Sequence, residues 1–527
     1  MYLQTMEDLR LAFNPGTALF LTRVGHFLAE EGVQSYLVGG LVRDMLLGRD
    51  TADIDIAVDA GALEIAPRAA TALGGKYVLL DEINGIGRVV LAKNEATPAE
   101  GKWELDFSTL KSDIEQDLAQ RDFTIDAMAV DLKEIIPEIP TFPPPGEGIE
   151  VILKSSALID PFKGQDDLRQ GVIRTVSETA FKSDAVRLLR AVRLAAELGF
   201  SIDRETEMLI RHYCHLITGV AGERVREELL RILAVPGTGQ LLAYLDELGL
   251  LTAMIPELTQ AKGVKQPLIH FWDVFDHSIQ ALAAIDFLLR QGNWEYTSQE
   301  VLPPVPWSTT LAQHFEQEVS SGSTRRSLLK LAILLHDIAK PQTKAIDEDG
   351  RARFLGHATE GAAIAAGILE RLRFSSREIK LVEILIGQHL RPTQMSQHGL
   401  PSRRAIYRYF RDTAEAGIDI LFLSLADHLA TRGPLLDLAQ WQEHAQLAEY
   451  VLAKHFTEES LAVPLRLIDG HDLINIFGLN PGPGIGEFLE AVREAQAARE
   501  VTTRPEALAC IKHWLAHPEE TPLNKSP

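Results

Sequence analysis

Residues 37–48 read LVGGLVRDMLLG, and residues 53–58 read DIDIAV. Tyr36-Leu37-Val38 is a short apolar run ending in Gly39-Gly40, and the helical stretch Leu41 to Leu47 follows it. Ile54 to Val58 alternates with period two, as a half-buried strand does. Asp53 and Asp55 stand two apart on that strand, so their side chains leave it on one face. Carboxylates so placed can share divalent metal ions, and Asp106, in ELDF, is the candidate third ligand on a neighbouring strand. Oxygen ligands of this kind suit Mg²⁺, a hard cation. Two ions held there would activate an attacking oxygen and neutralise a leaving pyrophosphate. Gly39-Gly40 at a helix start allows close backbone approach and offers free N–H groups to phosphate oxygens. The plainer reading is a turn, a capped helix and an exposed acidic strand. The order strand, Gly-Gly, helix, Asp-x-Asp favours the site.

Outward from this stretch, Arg88 to Ala92 and Trp103 to Phe107 have the pattern of further strands. Residues Ile136 to Gly148 are Pro-rich, with prolines at 143–145, and are expected to be neither helix nor central strand. Strand-type patterns end there, so a structural break is expected. From about residue 155 the chain reads as helix after helix. Ser183 precedes DAVRLLRAVRLAAELG, closed by Gly199, which fits an N-cap and a C-terminal glycine. A second break is expected at Pro236-Gly237. The stretch 292–324, rich in Pro, Ser and Gln, is expected to be a surface insertion. The fold class is therefore α+β. Its parts would be a head of mixed sheet and helices (1–150), a helical neck (151–235), a second helical domain (236–460) and a helical tail (461–527). No internal repeat recurs at a fixed period.

Composition narrows the class. The 527 residues exceed one compact core. A hydrophobic fraction of 46% and a charged fraction of 24% are those of a globular chain. The longest apolar runs, such as Leu421 to Ala426, fall far short of the roughly 20 residues of a membrane span. The first residues lack a cationic start before an apolar stretch, so no secretory signal is expected. Cys214 and Cys510 give no disulfide framework and fit a reducing cytoplasm. The net charge of −22 weighs against general coating of nucleic acid. It is not evenly spread: residues 151–235 hold 13 basic and 12 acidic side chains.

The run from Leu37 to Val58 resembles motif A of the class II tRNA nucleotidyltransferase and poly(A) polymerase family, whose head resembles that of DNA polymerase beta. DLAQRDFTIDAMA (117–129) is similar to the family's second motif, RRDFTINAMA. IDPFKGQDDLRQGVIRTV (159–176) is similar to its neck segment, DAVRLLRAVRLAAELGF (184–200) to its nucleotide-selecting helix, and GERVREELLRIL (222–233) to the segment after that. The resemblance implies catalytic metal binding by Asp53, Asp55 and Asp106. It implies in-line attack of an RNA 3′-hydroxyl on the α-phosphate of CTP or ATP, at the 3′ end of tRNA, with release of pyrophosphate. Arg43 and Asp44 occupy the Arg-Asp positions of motif A, and Arg43 would support the triphosphate or the architecture of the site. Arg121 and Asp122 would contact the nucleotide sugar and triphosphate. Asp184, Arg187, Arg190 and Arg193 recur every three residues as one drifting stripe. Alone that stripe reads as a solvated face; the family's EDxxR motif makes Asp184 and Arg187 a protein template that hydrogen-bonds the base edge. Three positions depart from the family: Ser183 for Glu, Gln120 for the first Arg of RRD, and Asp126 for Asn. The link from Asp106 to Asp117 is also short. Most members that build a whole CCA end carry a longer loop there, needed for the final A, and members adding only CC lack it, so the short link weighs against addition of the terminal A and makes a CC-adding enzyme the alternative to a CCA-adding one.

The second half carries His336-Asp337 in LAILLHDIAKPQT, with His277, His357, His389 and Asp427 around it in sequence order. This spacing resembles the HD phosphohydrolase superfamily and implies a second divalent metal, for which Mg²⁺, Mn²⁺ and Ni²⁺ are all candidates. A phosphohydrolase acting on 2′,3′-cyclic or 2′-phosphate ends, or a purely structural metal domain, would fit. Residues 371–411 carry nine basic side chains against Glu378 and Glu383, with Tyr407, Tyr409 and Phe410 among them. Arg391, Arg403, Arg404 and Arg408 are therefore candidate RNA contacts. Competing readings are a poly(A) polymerase, an HD-type hydrolase with a degenerate transferase head, and an idle RNA-binding module. The chain lacks the basic tail frequent in poly(A) polymerases, which favours tRNA, and the intact carboxylates speak against the other two.

Overall fold

The computed structural model describes residues 9–49, 51, 53–91, 103–139, 149–267, 269–396, 399–457 and 466–517. The chain packs as two compact units, residues 1–220 and 221–527.

In the first unit the strands are β1 (Leu9–Phe13), β2 (Ser35–Val38), β3 (Asp53–Val58), β4 (Lys76–Asp81), β5 (Ile86–Leu91), β6 (Trp103–Thr109), β7 (Ala129–Asp131), β8 (Ile149–Leu153) and β9 (Leu158–Ile159). Seven of them form one sheet in the order β4-β5-β6-β3-β2-β7-β9. Only β3 and β6 run parallel; the other neighbours are antiparallel. Alternation decides the faces: Ile54 and Ile56 are buried while Asp53 is exposed and Asp55 half-buried. Leu37, Val38, Leu105 and Phe107 complete the buried layer under β3. The chain leaves β2 through Gly39, whose φ of +72° lies in the left-handed region that favours glycine, and enters the helix Gly40–Leu47.

Several expectations are corrected here. Strand structure does not stop at the Pro-rich stretch: β8 pairs with β1, and β9 extends the large sheet beside β7. Prolines forbid ladder pairing only where they stand, and IEVIL resumes the period-two burial of a strand. Ile136–Glu138 forms one turn of 3-10 helix, with Pro137 in its first turn, where no N–H is needed. Ala92 and the prolines at 143–145 lie outside the described residues. Ser183 is not the N-cap. It ends a short helix, Ala180–Ser183, and its hydroxyl donates to the Ala180 carbonyl. Asp184 is extended (φ −153°), and the long helix runs Arg187–Leu198 before Gly199 closes it at φ +70°.

The second unit is helical. Helices Val274–Leu288, Arg325–Leu335, His357–Arg371, Ser376–Gln388 and Gly417–Arg432 surround the histidine-rich segments. Residues 292–324 are not a loose surface insertion. Trp294, Val301 and Phe315 are at most 1% exposed, and the Trp441 indole donates to the Val301 carbonyl at 2.7 Å. The stretch has few apolar residues, but large ones, and each anchors it to the core. Helices Gly470–Phe477, Pro483–Ala497 and Arg504–Ala516 share a core built around Leu473, Val492, Ile511 and Trp514. Among the described residues no helix is long and apolar enough to cross a membrane.

Candidate active site and a second, histidine-rich centre

The parallel pairing of β3 and β6 sets Asp55 directly opposite Asp106 and Asp53 opposite Glu104. All three candidate ligands therefore stand on one face of the sheet. Arg88, on β5, faces Asp106 from the other side and donates Nε and Nη2 to its two oxygens at 2.7 and 2.8 Å. It also pairs with Glu104. Sequence reasoning passed over Arg88, although it is the one charged position in IGRVVL. Burial pushes the Asp55 carboxyl up to about 6; Arg121 opposes this, and the neighbouring Asp106 and Asp53 add to it. Such crowded carboxylates fit a divalent cation, which would relieve their repulsion. The glycine before them is needed for space. A Cβ on Gly39 would lie 2.6 Å from Arg121 Nη1 and 3.1 Å from Asp55 Oδ2.

Beside the carboxylates lies a buried charge cluster. Arg43 donates to both Asp44 oxygens (2.9 and 3.1 Å) and, at 2.6 Å, to Asp126 Oδ1. Arg190 Nε lies 3.0 Å from Asp122 Oδ2, and its Nη2 lies 3.9 Å from Asp126 Oδ2. Arg187 Nη2 donates to the Gln120 carbonyl at 3.0 Å. That contact uses backbone, so the departure at Gln120 leaves it intact. Arg121 pairs with Asp117 at 3.3 Å. Asp184 sits in the link before the long helix, where Oδ1 accepts the Val186 N–H at 3.3 Å. The expected stripe is thus divided. Arg187 and Arg190 face the second motif, whereas Arg193 is 4% exposed and holds Glu197 at 2.6 Å.

In the second unit the helices bring all six candidate metal ligands together. Nε2 of His277 lies 3.3 Å from Nε2 of His336, 3.0 Å from Asp427 Oδ1 and 3.6 Å from Asp337 Oδ2. His357 Nε2 lies 3.5 Å from Asp337 Oδ1, and one ion could be reached from Asp337, His357 and His389 together. His336, His357 and His389 each set Nδ1 against the carbonyl three residues back, on Ile333, Phe354 and Ile386, at 2.6–2.8 Å. A ring whose Nδ1–H is so engaged presents Nε2 as a lone pair toward a metal. The residues therefore fit a divalent ion. Two neighbours were not legible beforehand. Lys340 Nζ stands 2.5 Å from Asp337, and the His270 ring lies 5.7 Å from that of His277. Burial holds the His270 imidazole down at about 4. Lys340 follows Asp337 by one helical turn; the position of His270 carries no spacing signal.

The arginines of the basic run make contacts within the protein. Arg408 grips Glu494 through two bonds of 2.9 and 2.7 Å, Arg404 pairs with Glu500, and Arg403 donates to the Ala497 carbonyl. Arg391 pairs with Asp412. Arg404, Arg408 and Arg411 meet Glu490, Glu494 and Glu500, on and just after the helix Pro483–Ala497. Each of these arginines is thus held by a partner within the protein.

Comparison with known proteins agrees with this geometry. Residues 35–174 match the poly A polymerase head domain, residues 199–262 the family described as "Probable RNA and SrmB- binding site of polymerase A", and residues 308–432 the HD domain. The chain is 34% identical to an A-adding tRNA nucleotidyltransferase of Deinococcus radiodurans, over 92% of this chain and 96% of that one. It is 32% identical to a CC-adding tRNA nucleotidyltransferase of Thermus thermophilus, over 91% and 93%. Among solved structures it resembles a CCA-adding enzyme in complex with ATP (TM-score 0.59, 22% identity, 95% and 96% covered). It also resembles the Thermotoga maritima CCA-adding enzyme complexed with tRNA (TM-score 0.55, 21% identity, 95% and 99% covered). Those two likenesses concern the fold. The full-length identity to the bacterial enzymes, joined to a head whose carboxylates and arginines converge, places the chain in the tRNA nucleotidyltransferase branch of the poly(A) polymerase family, and it is an enzyme of the nucleotidyltransferase class.

Proposed function

We propose that the protein adds C, A or both to the 3′ end of tRNA from CTP and ATP, working in the cytoplasm with Mg²⁺. The observation that carries this reading is the register of β3 against β6, which sets Asp53, Asp55 and Asp106 on one face beside a cluster of arginines. Enzymes of this family use divalent metals. Cations held by the three carboxylates would supply positive charge at the attacking and leaving oxygens. The residues of the chain orient the reactants. Arg121 and Arg190 would meet the triphosphate, Asp122 the ribose, and the backbone at Gly39-Gly40 the phosphate oxygens. Asp184 and Arg187 would read the base edge. The RNA 3′-oxygen forms a bond to the α-phosphorus, the bond to the β-phosphate bridge breaks, and the hydroxyl proton leaves to solvent or carboxylate. Positioning and charge neutralisation carry most of such a reaction.

The test is incubation with labelled CTP or ATP, each alone, on tRNAs ending before, within and after CC. Incorporation is expected to fall by at least about 10³-fold in Asp53→Ala. Incorporation from neither nucleotide, with Asp53→Ala indistinguishable from the parent, would end this reading. The same experiment decides between CC, A and CCA, on which the relatives divide.

For the second unit, the three histidines whose Nδ1 atoms are held by the carbonyl three residues back support a divalent metal centre of the HD type. A phosphohydrolase acting on 2′- or cyclic-phosphate ends is the activity that suits it. Calorimetric titration with Mn²⁺ or Ni²⁺ should show binding that disappears in His336→Ala. Equal binding by both proteins would remove the centre from this description.

A further inference from the structure

Asp126 stands where the resembling motif carries asparagine, and its surroundings give the extra charge a task. The side chain is 2% exposed. Oδ1 accepts from Arg43 at 2.6 Å, whereas Oδ2 makes no hydrogen bond and lies 3.9 Å from Arg190 Nη2. Arg190 is 40% exposed along its side chain and already pairs with Asp122 at 3.0 Å, so it bridges the buried carboxylates and the open nucleotide side. The charged groups around Asp126 come from three elements: Arg43 and Asp44 from the helix Gly40–Leu47, Asp122 from its own segment, and Arg187 and Arg190 from the helix Arg187–Leu198. Arg43, Arg187 and Arg190 thus face Asp44, Asp122 and Asp126.

We infer that Asp126 is a positioning residue that draws Arg190 inward and so sets how tightly a nucleoside triphosphate is held. The inference rests on the nucleotide-binding role proposed above for Arg190. An asparagine at 126 keeps the shape and the Oδ1 acceptor for Arg43 while removing the charge beside Arg190. The guanidinium then keeps Asp122 but loses the inward pull of a second buried carboxylate, so it can shift toward a phosphate. A buried carboxylate 3.9 Å away still attracts the guanidinium, although solvent at the 40% exposed arginine screens part of that pull. The proton affinity of Asp126 is raised, first by burial and then by Asp122 and Asp44, with Arg43 and Arg190 opposing.

The experiment is steady-state nucleotide addition by the full-length protein with Mg²⁺ and tRNA. Asp126→Asn is expected to lower KM for the incorporated nucleotide about three- to tenfold, with kcat within about twofold and KM for tRNA unmoved. A purely structural role would not lower KM selectively. Arg190→Gln is expected to raise nucleotide KM and to abolish the effect of Asp126→Asn in the double variant. A nucleotide KM that is unchanged or raised in Asp126→Asn overturns the inference. So does an effect that persists in the Arg190→Gln background. A parent enzyme that incorporates no nucleotide overturns the functional reading and this inference together, whereas an active parent with an unaltered Asp126→Asn overturns only the inference.

Discussion

Gly39 is the residue on which the head site depends most closely. Its left-handed backbone and the absence of a side chain let Arg121 and Asp55 close over it. Gly39→Ala would meet both groups and strain the backbone by about 1–2 kcal/mol. Nucleotide incorporation is expected to fall at least about tenfold while the protein still folds, checked by kinetics beside thermal unfolding. Parent-like kinetics would show that Arg121 and Asp55 move apart freely. Arg88 makes the complementary point. Its two bonds to Asp106 hold that carboxylate in place, and the pairing pushes the guanidinium's own affinity for its proton upward. Nothing in the spacing of residues 86–91 reveals this, because the partner is 18 positions away and meets it only through sheet register.

At the scale of elements, the second unit is pinned at the start of its helix Thr238–Glu247. Lys330 is fully buried, with Nζ 2.6 Å from Asp286 and 2.9 Å from the Thr238 hydroxyl, while Asp286 accepts the Thr238 N–H at 2.7 Å. Burial lowers the affinity of the Lys330 amine for its proton, and Asp286 resists that. Lys330→Met leaves Asp286 buried without its partner and should cost about 3–5 kcal/mol in urea unfolding. Lys330→Met with Asp286→Leu should recover most of that loss; simple additivity would show that the two do not act as a pair. The arginines of the helix Arg403–Thr413 illustrate a second kind of contact. Arg408 and Arg411 share Glu494, which is 5% exposed, so Glu494→Gln is expected to weaken the docking of the C-terminal helices by about 1–3 kcal/mol. Faster proteolysis after residue 457 would report it, and an unchanged cleavage rate would contradict it.

For the whole molecule, the histidines make acid the natural denaturant. His428 stacks on His444 at 4.6 Å, and burial holds its imidazole down at about 3. Unfolded, the ring takes up its proton near pH 6.5, so the unfolded chain binds more protons between the two values. The stabilising effect is complete above pH 6.5 and is lost as pH falls toward 3. At pH 5 this one group should have removed about 2 kcal/mol. His428→Phe keeps the stack without titrating, so its thermal midpoint should fall less steeply from pH 7 to pH 5 than that of the parent. Parallel slopes would show that other groups carry the acid sensitivity.

The sequence by itself determined the chemistry available. Strand, Gly-Gly, helix and Asp-x-Asp are local patterns, and local periodicity fixes which side chains share a face, so Asp53 and Asp55 were legible before any fold was known. The histidine ligands were legible in another way: the order and spacing of His277, His336-Asp337, His357, His389 and Asp427 resemble those of the HD superfamily. Tertiary structure alone decided who meets whom. It placed Arg88 on Asp106, set Asp126 between Arg43 and Arg190, and divided the stripe of the long helix at Arg193. It also set the basic run 403–411 against Glu490, Glu494 and Glu500. Charge counted along a chain ignores partners brought in from 80–100 residues away. Electrostatic energy depends on distance in space, and only packing sets that distance.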